Sequence, residues 1–418
     1  MSGGAQRLRR PFAPIASPGP AAWQKTRIPS RGTRKGRRAM SQAITGEDAD
    51  NTRTIEAMRG IAAIAVALFH CRLIAWIGIR AYASGQHPAF SLDTALAWLT
   101  IPFVWGPIGV PVFFVISGYC IHRSQAARLA RHPHFRLDTH DFLWRRFVRI
   151  YPVLFCALLL TWALDNFSLQ FRVHDAQLGD GSLWSFVANL FALQGIVAPT
   201  YGSNTALWTL SLEVQFYLLY PLLFAVQRRL GPNRTLVALM ALAAVSYALL
   251  DRHGVLIFTT YWSCWYLGAW IAERDVRGQR LAHGWLLIAT PPLLVLGGVM
   301  STREARILWC LPWALAFTPC FDALLHARPR PAFVMRALEK VGDFSYSLYI
   351  VHMPVCIALF SWLLHSTRQV SILWAFVCFF IALASAYVFH LLVERPAIAV
   401  LRRASARRRL AASQAGAA

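Results

Sequence analysis

The stretch MRGIAAIAVALFHCRLIAW, residues 58 to 76, decides the fold class of this chain. It is apolar over most of its length and has about the 20 residues that are needed to cross the hydrocarbon core of a bilayer. Three ionisable residues interrupt it, namely Arg59, His70 and Arg72. Because ionisable side chains are costly inside a membrane, they mark functional sites by default. The stretch therefore predicts a membrane helix that carries a functional histidine.

Similar apolar stretches recur along the chain. Of its 418 residues, 56% are hydrophobic and only 15% are charged, and the mean hydropathy is +0.44. The candidate spans are 60–79, 103–121, 150–164, 208–226, 235–250, 255–272, 284–300, 306–325, 344–364 and 372–393. We therefore predict an all-α fold, a polytopic transmembrane helical bundle with about ten spans.

The arginines predict the orientation of the bundle, because Lys and Arg accumulate in cytoplasmic segments. With ten spans and a cytoplasmic N-terminus, few basic residues fall on the outer side. They are Arg80, Arg172, Arg252, Arg303, Arg306 and Arg368. An eleventh span at 182–197 would place several basic loops outside, so that segment is predicted to be interfacial or re-entrant. Both termini are predicted to be cytoplasmic.

The organisation of the chain follows from these spans. Residues 1–52 are predicted to be a disordered basic segment without the apolar core of a secretory signal, 53–398 one transmembrane domain, and 399–418 a basic cytoplasmic tail. The net charge of +23 does not predict nucleic-acid binding, because the basic residues follow the topology and no nucleic-acid signature accompanies them. The eight cysteines have no metal-ligand or disulfide spacing, so we predict core cysteines and no metal site.

Arg59 and His70 are eleven residues apart, which places both on one face of a helix. Their separation along the helix axis is about 16 Å, so Arg59 lies at the cytoplasmic edge and His70 near the middle of the membrane. Arg59 alone is equally consistent with a positive-inside anchor. For His70, a functional role is favoured over that of a hydrogen-bonded core residue.

Two stretches lie near the predicted inner side. FFVISGYCIHR (113–123) contains Ser117 and Gly118, small residues that allow close helix packing or ligand contact, and packing is favoured from this stretch alone.

FLWRRFVRIYP (142–152) contains Arg145, Arg146 and Arg149. Arg145 and Arg149 share a helix face, an arrangement suited to phosphate oxygens. Anchoring to anionic lipid of the inner leaflet is an equal alternative.

LWTLSLEVQFYLLYP (207–221) places Trp208, Glu213 and Tyr217 at the outer part of the fourth span. A carboxylate at that depth must be paired or line a cavity. Pairing with Arg72 is the structural alternative to a functional role.

GDFSYSLYIVHMP (342–354) places Ser345, Tyr346, Tyr349 and His352 in the ninth span. His352 is either a second functional histidine or a packing residue.

Together, in this order, the five stretches resemble the acyltransferase 3 family of integral-membrane acyltransferases. The matching patterns are Arg-x10-His at Arg59 and His70, Phe-rich Ser-Gly at 113–119, Arg-Arg-x-x-Arg-Ile-x-Pro at 145–152, Trp-x-Leu-x-x-Glu-x-x-Phe-Tyr at 208–217, and Ser-Tyr-x-x-Tyr-x-x-His-x-Pro at 345–354. The resemblance covers about residues 53–398. Thr209 and Tyr119 stand where the family usually has Ser and Phe, and both changes are mild.

The resemblance implies transfer of an acyl group, most often acetyl, from a coenzyme A thioester to a hydroxyl of a carbohydrate or another small acceptor. Acetyl-CoA would be a co-substrate, and no permanently bound cofactor is expected. The resemblance also implies the residues of the site. Acyl-CoA would be bound by Arg59, Ser117, Gly118, Arg145, Arg146 and Arg149. His70 would be the general base together with Glu213, and the acceptor would be bound by Trp208, Tyr217, Tyr346 and His352. The partners would be the lipid bilayer of the inner membrane, acyl-CoA and the carbohydrate, with a homo-oligomer or a separate periplasmic partner left open.

Two alternatives remain at this point. One is a proton-coupled transporter or flippase in which His70, Glu213 and His352 form a proton relay. The other is an acyltransferase that acts on an antibiotic-like metabolite.

Overall fold

A computed structural model describes residues 34–401 and 403, except 86, 89, 172–177, 282, 302–305, 328–332 and 402. For residues 34–50, 283 and 285–287 it describes the backbone alone. The described residues from Asp50 onward form one compact unit. Helices make up 82% of the structure, and the described residues contain no strand. The prediction of an all-α membrane bundle is therefore confirmed.

Fourteen α-helices follow one another along the described part of the chain. They are α1 (Arg34–Ala75), α2 (Ile79–Ser84), α3 (Leu92–Leu99), α4 (Gly109–Arg131), α5 (Thr139–Ser168), α6 (Leu183–Leu190), α7 (Trp208–Leu230), α8 (Pro232–Leu249), α9 (Phe258–Val276), α10 (His283–Met300), α11 (Arg306–His326), α12 (Phe333–Asp343), α13 (Ser345–Leu364) and α14 (Leu373–Phe389). A helix is present at each of the ten predicted span positions.

Within the described residues, eight helical segments are long and apolar enough to cross a membrane. Their bounds are Asn51–Ala75, Leu92–Arg131, Thr139–Ser168, Thr205–Leu230, Pro232–His253, Arg306–His326, Ser345–Leu364 and Leu373–Leu401. Helix α9 is not among them, and α10 contributes only the shorter apolar helix Ile288–Met300. The count of ten spans, the sidedness of the termini and the domain boundaries stay predictions. Below, "inner" and "outer" refer to the predicted cytoplasmic and opposite sides.

Several helix boundaries differ from the predicted spans. Helix α5 begins at Thr139, eleven residues before the predicted start, because the Asp138 side chain caps it by accepting from the backbone N–H of Asp141 at 2.9 Å. The arginine block at 145–149 is therefore helical. The segment 182–197 forms only the eight-residue helix α6, whose length of about 12 Å is too short to span a membrane.

The core of the bundle is α13, the most buried of the candidate spans. Pro354 has no backbone N–H, which leaves the Ile350 carbonyl without its helical donor. The Asn204 side chain fills this role, since its Nδ2 donates to Ile350 O at 2.8 Å and lies 3.1 Å from Thr161 Oγ1. The outer connection before α7 is thereby fastened to both α13 and α5.

Helices α4 and α9 approach each other closely at two glycines. A Cβ atom on Gly118 would lie 1.9 Å from the Trp265 carbonyl oxygen, and one on Gly268 would lie 1.8 Å from the Val115 carbonyl oxygen. Only glycine fits at both positions, as is common where membrane helices pack backbone to backbone. This contact fixes the rotation of α4 about its axis.

The last helical segment continues beyond residue 393, where the tenth predicted span ends. A π-helical stretch, His390–Glu394, follows α14, and helical structure continues to Leu401. Glu394 is buried and accepts hydrogen bonds from Ser347 Oγ at 2.6 Å and His390 Nδ1 at 2.9 Å. The carboxylate thus joins α13 to this last segment.

Candidate active site

A cavity of about 300 Å³ lies among α1, α4, α5, α7 and α13. Eight of the twelve site residues that the sequence predicted line it. They are Arg59, Ser117, Arg145, Arg146, Arg149, Glu213, Tyr217 and Tyr346. Residues that are separated by up to 287 positions in the chain therefore line one cavity. The remaining four, His70, Gly118, Trp208 and His352, lie outside the lining.

The inner part of the cavity is cationic, since four arginines from two helices line it. Arg59 pairs with Glu56 at 3.3 Å and Arg145 pairs with Asp141 at 2.6 Å, each one turn away on the same helix. Arg146 stacks over the Phe142 ring at 4.1 Å. We call these four residues (Arg59, Arg145, Arg146 and Arg149) the arginine rim. Its positive charge exceeds that of its two carboxylate partners, so it can accommodate an anion.

Deeper in the cavity, Glu213 is the centre of a hydrogen-bond network that crosses three helices. Its Oε1 accepts a hydrogen bond from the Tyr217 hydroxyl and lies 3.5 Å from Ser117 Oγ. Ser117 Oγ in turn accepts from Trp265 Nε1 at 3.2 Å. Among the described residues, Glu213 forms no ion pair with Arg72, so the network takes the place of the pairing alternative.

The two residues of the Ser-Gly pair on α4 lie on different faces of the helix. Ser117 faces the cavity and bonds to the Glu213 network, whereas Gly118 packs against the backbone of α9. The packing role that the sequence favoured for this stretch therefore belongs to Gly118. Direct contact of Gly118 with a ligand in this cavity has no support from its position.

His70 and His352 contact each other beside the cavity. His352 Nε2 lies 3.1 Å from His70 Nδ1, and the ring centroids are 5.0 Å apart. His352 is fully buried, while His70 keeps partial exposure. One position further along α1, Cys71 Sγ lies 2.9 Å from Cys356 Sγ, which shows how closely α1 and α13 pack here.

Tyr349 connects the histidine pair to the cavity, and the set of predicted site residues omitted it. It lines the cavity, its ring centroid is 6.0 Å from that of His352, and its hydroxyl accepts from Thr209 Oγ1 at 2.8 Å. The signal in the sequence was its position three residues before His352, which places both near one helix face. Ser345 and Thr209 also line the cavity, although they are not among the site residues predicted from the sequence.

Two residues of interest lie away from the cavity. Trp208 packs near the outer end of α7, with its ring below the Arg306 guanidinium at 5.1 Å and beside Trp309 at 6.5 Å. Arg72 is 5% exposed and lies over the Trp76 ring at 5.1 Å, and its Nε has no hydrogen-bond partner among the described residues. Arg72 therefore has no role in this cavity that its contacts support.

The arrangement brings three chemical capacities close together, in the cavity and in the histidine pair next to its lining residue Tyr349. The arginine rim can hold a polyanion, the Glu213 network can accept hydrogen bonds from hydroxyl groups, and the adjacent imidazole can accept a proton. These capacities suit the transfer of a group from an anionic activated donor to a hydroxyl acceptor.

Comparison with known proteins is consistent with this chemistry. The sequence profile of the acyltransferase 3 family, described as an acyltransferase domain, matches residues 53–391. Similar proteins include the acyltransferase MdmB of Streptomyces mycarofaciens, which is 26% identical over 63% of this chain and 71% of the relative. Nodulation protein 10 of Rhizobium leguminosarum bv. viciae is 25% identical over 59% of this chain and 71% of the relative.

The O-acetyltransferase OatA of Staphylococcus aureus is 25% identical over 67% of this chain but only 50% of its own length. No solved structure matches this chain.

Proposed function

Because the chain belongs to the acyltransferase 3 family and is a multi-pass membrane O-acyltransferase, we propose that it moves an acetyl group from acetyl-CoA to a hydroxyl of a cell-surface or exported carbohydrate. The donor is taken from the cytoplasm and the enzyme resides in the inner membrane. The observation that supports this proposal best is that the arginine rim and the Glu213 network line one cavity, with His70 beside it.

The donor fits the inner half of the site by charge and by length. The phosphates of coenzyme A bind the arginine rim, whose guanidinium groups match phosphate oxygens in bidentate geometry. Arg59 and His70 are about 16 Å apart along α1, a distance that the pantetheine arm can bridge. The thioester then lies beside the histidine pair.

The reaction requires a base, since a hydroxyl is a poor nucleophile at neutral pH. We assign this role to His70, which takes the hydroxyl proton while the oxygen attacks the thioester carbonyl carbon. The new carbon–oxygen bond replaces the carbon–sulfur bond, and the proton passes from the imidazole to the coenzyme A thiolate. Glu213, held by Tyr217 and Ser117, accepts a hydrogen bond from an acceptor hydroxyl.

The proposal is tested with purified protein in lipid nanodiscs, radiolabelled acetyl-CoA and a panel of glycan acceptors. His70→Ala should lower acetyl transfer by about 10²- to 10⁴-fold, the usual contribution of a general base. The matched control is His253→Ala, which changes an exposed histidine in the short turn after α8 and should keep the parental rate. A His70→Ala protein that retains activity within a few-fold of the parent would refute the assignment.

The same assay separates the acceptor classes. Label that moves from acetyl-CoA to a glycan supports the proposal. Label that moves only to small metabolites would replace the carbohydrate by a metabolite acceptor and leave the site assignments intact.

A further inference from the structure

The hydrogen-bond partners of His70 and His352 indicate which ring nitrogens bear hydrogens. His352 Nδ1 is 2.9 Å from the Tyr349 carbonyl oxygen and 3.1 Å from that of Leu348. A carbonyl oxygen can only accept, so His352 Nδ1 must bear the hydrogen. In the neutral ring this leaves a lone pair on His352 Nε2, the atom that faces His70.

The same reasoning assigns the proton of His70. Its Nδ1 is 2.9 Å from the Val66 carbonyl oxygen and 3.1 Å from His352 Nε2. Both neighbours are acceptors, so His70 Nδ1 also bears the hydrogen and shares it between them. The lone pair of neutral His70 is then on Nε2, the nitrogen that does not face His352.

We propose that His352 is a positioning residue for His70. Together with Val66 O it holds His70 in the Nδ1–H tautomer, and it stabilises the imidazolium that forms when Nε2 takes the proton of the acceptor hydroxyl. This inference rests on the proposed role of His70 as the base. After His70 Nε2 has taken the proton, the Nδ1–H of the cationic His70 ring still faces two acceptors, Val66 O and His352 Nε2. The hydrogen bond to a charged donor is stronger than that to a neutral one, so His352 contributes most when the proton has moved.

A neutral imidazole suits this place better than a carboxylate would. An ionised carboxylate with no other charge partner is expensive at mid-membrane depth, whereas a neutral ring adds no charge to the resting site. His352 cannot itself accept a proton on Nε2 without directing the new N–H at the Nδ1–H of His70. The pair therefore holds at most one positive charge, and the carbonyl contacts of His352 direct that charge to His70.

The test compares two substitutions at one position. In His352→Phe, the ring volume is roughly kept but the acceptor is lost. We expect kcat to fall by about 10- to 100-fold, the worth of a hydrogen bond to a charged group, while KM for acetyl-CoA stays within about two-fold. In His352→Gln, the side-chain amide oxygen can accept from His70 Nδ1–H, so most of the lost kcat should return.

A matched control and a spectroscopic readout separate positioning from packing. Cys356→Ala changes the next turn of the same helix, where the thiol contacts Cys71 of α1, and leaves both imidazoles chemically unchanged, so it should keep the parental kcat. In ¹⁵N NMR spectra of histidine-labelled protein, the His70 Nδ1 resonance should keep its parental position in the Gln variant and shift in the Phe variant, where Val66 O alone of the two acceptors is left. Equal losses in the Phe and Gln variants, or an unchanged His70 spectrum, would overturn the inference.

The double variant His70→Ala/His352→Phe distinguishes this inference from the proposed function. If His352 acts through His70, the double variant should be no slower than His70→Ala alone. An additional loss in the double variant would give His352 an independent role and overturn the inference while the base remains His70. High activity of His70→Ala would overturn both.

Discussion

The arginine rim and the deep part of the site are held together in different ways. In the rim, Arg59 and Arg145 pair with carboxylates three and four residues away on their own helices. In the deep part, Ser117 meets Glu213 across 96 positions of sequence, and His70 meets His352 across 282. The ion pairs of the rim are therefore formed within single helices, whereas these contacts of the deep part exist only when several helices are packed together.

This difference suits the two tasks that we propose. Partly exposed ion pairs within one helix contribute little to stability, so the rim arginines can exchange their carboxylates for phosphate oxygens at small cost. The deep groups are fixed by bonds from other helices, which holds them in place for proton transfer. A binding region whose ion pairs can be exchanged thus adjoins a reacting region that contacts between helices hold in place.

Removing charge from the rim should have the larger effect on donor binding. In Arg145→Gln/Arg149→Gln, two charge-assisted contacts are lost, so KM for acetyl-CoA should rise by about 100-fold while kcat changes little. Steady-state kinetics with varied acetyl-CoA measures both constants. Arg131→Gln, at the inner end of α4 and outside the cavity lining, is the control, and an unchanged KM in the double variant would contradict the phosphate role.

A substitution in the deep region should instead change the kinetics measured with the acceptor. Glu213→Gln preserves size but replaces the carboxylate, so kcat/KM for the acceptor should fall by about 10- to 50-fold with KM for acetyl-CoA unaffected. The control is Glu339→Gln on α12, which does not line the cavity. If the loss appeared in donor KM, Glu213 would belong with the rim and the division between the two regions would fail.

The dependence of the deep region on helix packing can be tested without touching a polar group. In Gly118→Ala, the added methyl would meet the Trp265 carbonyl, and the overpacking should destabilise the fold by about 1–3 kcal/mol. Gly181→Ala has open space around its Cβ and should melt as the parent does. Thermal unfolding in detergent compares the two, and equal melting temperatures would show that α4 and α9 can separate freely.

The sequence by itself determined the class of fold and much of the rim. Apolar stretches of the length of a bilayer predicted the helices, and a helix is present at each predicted position. The spacing of Arg145 and Arg149 placed them on one helix face, and both line the cavity. These features depend on the helical repeat and on segment length, which are local properties of the chain.

Only the tertiary structure decided which polar groups of different helices meet. The sequence left Glu213 with Arg72 or His70 as candidate partners, yet its described contacts are Tyr217 and Ser117, and the neighbour of His70 is His352. The sequence likewise could not assign different roles to Ser117 and Gly118, and it is the packing of α4 against α9 that distinguishes them. The physical reason is that membrane helices are apolar on most faces, so their hydrophobic pattern does not fix their rotation, which backbone contacts and hydrogen bonds between helices decide instead.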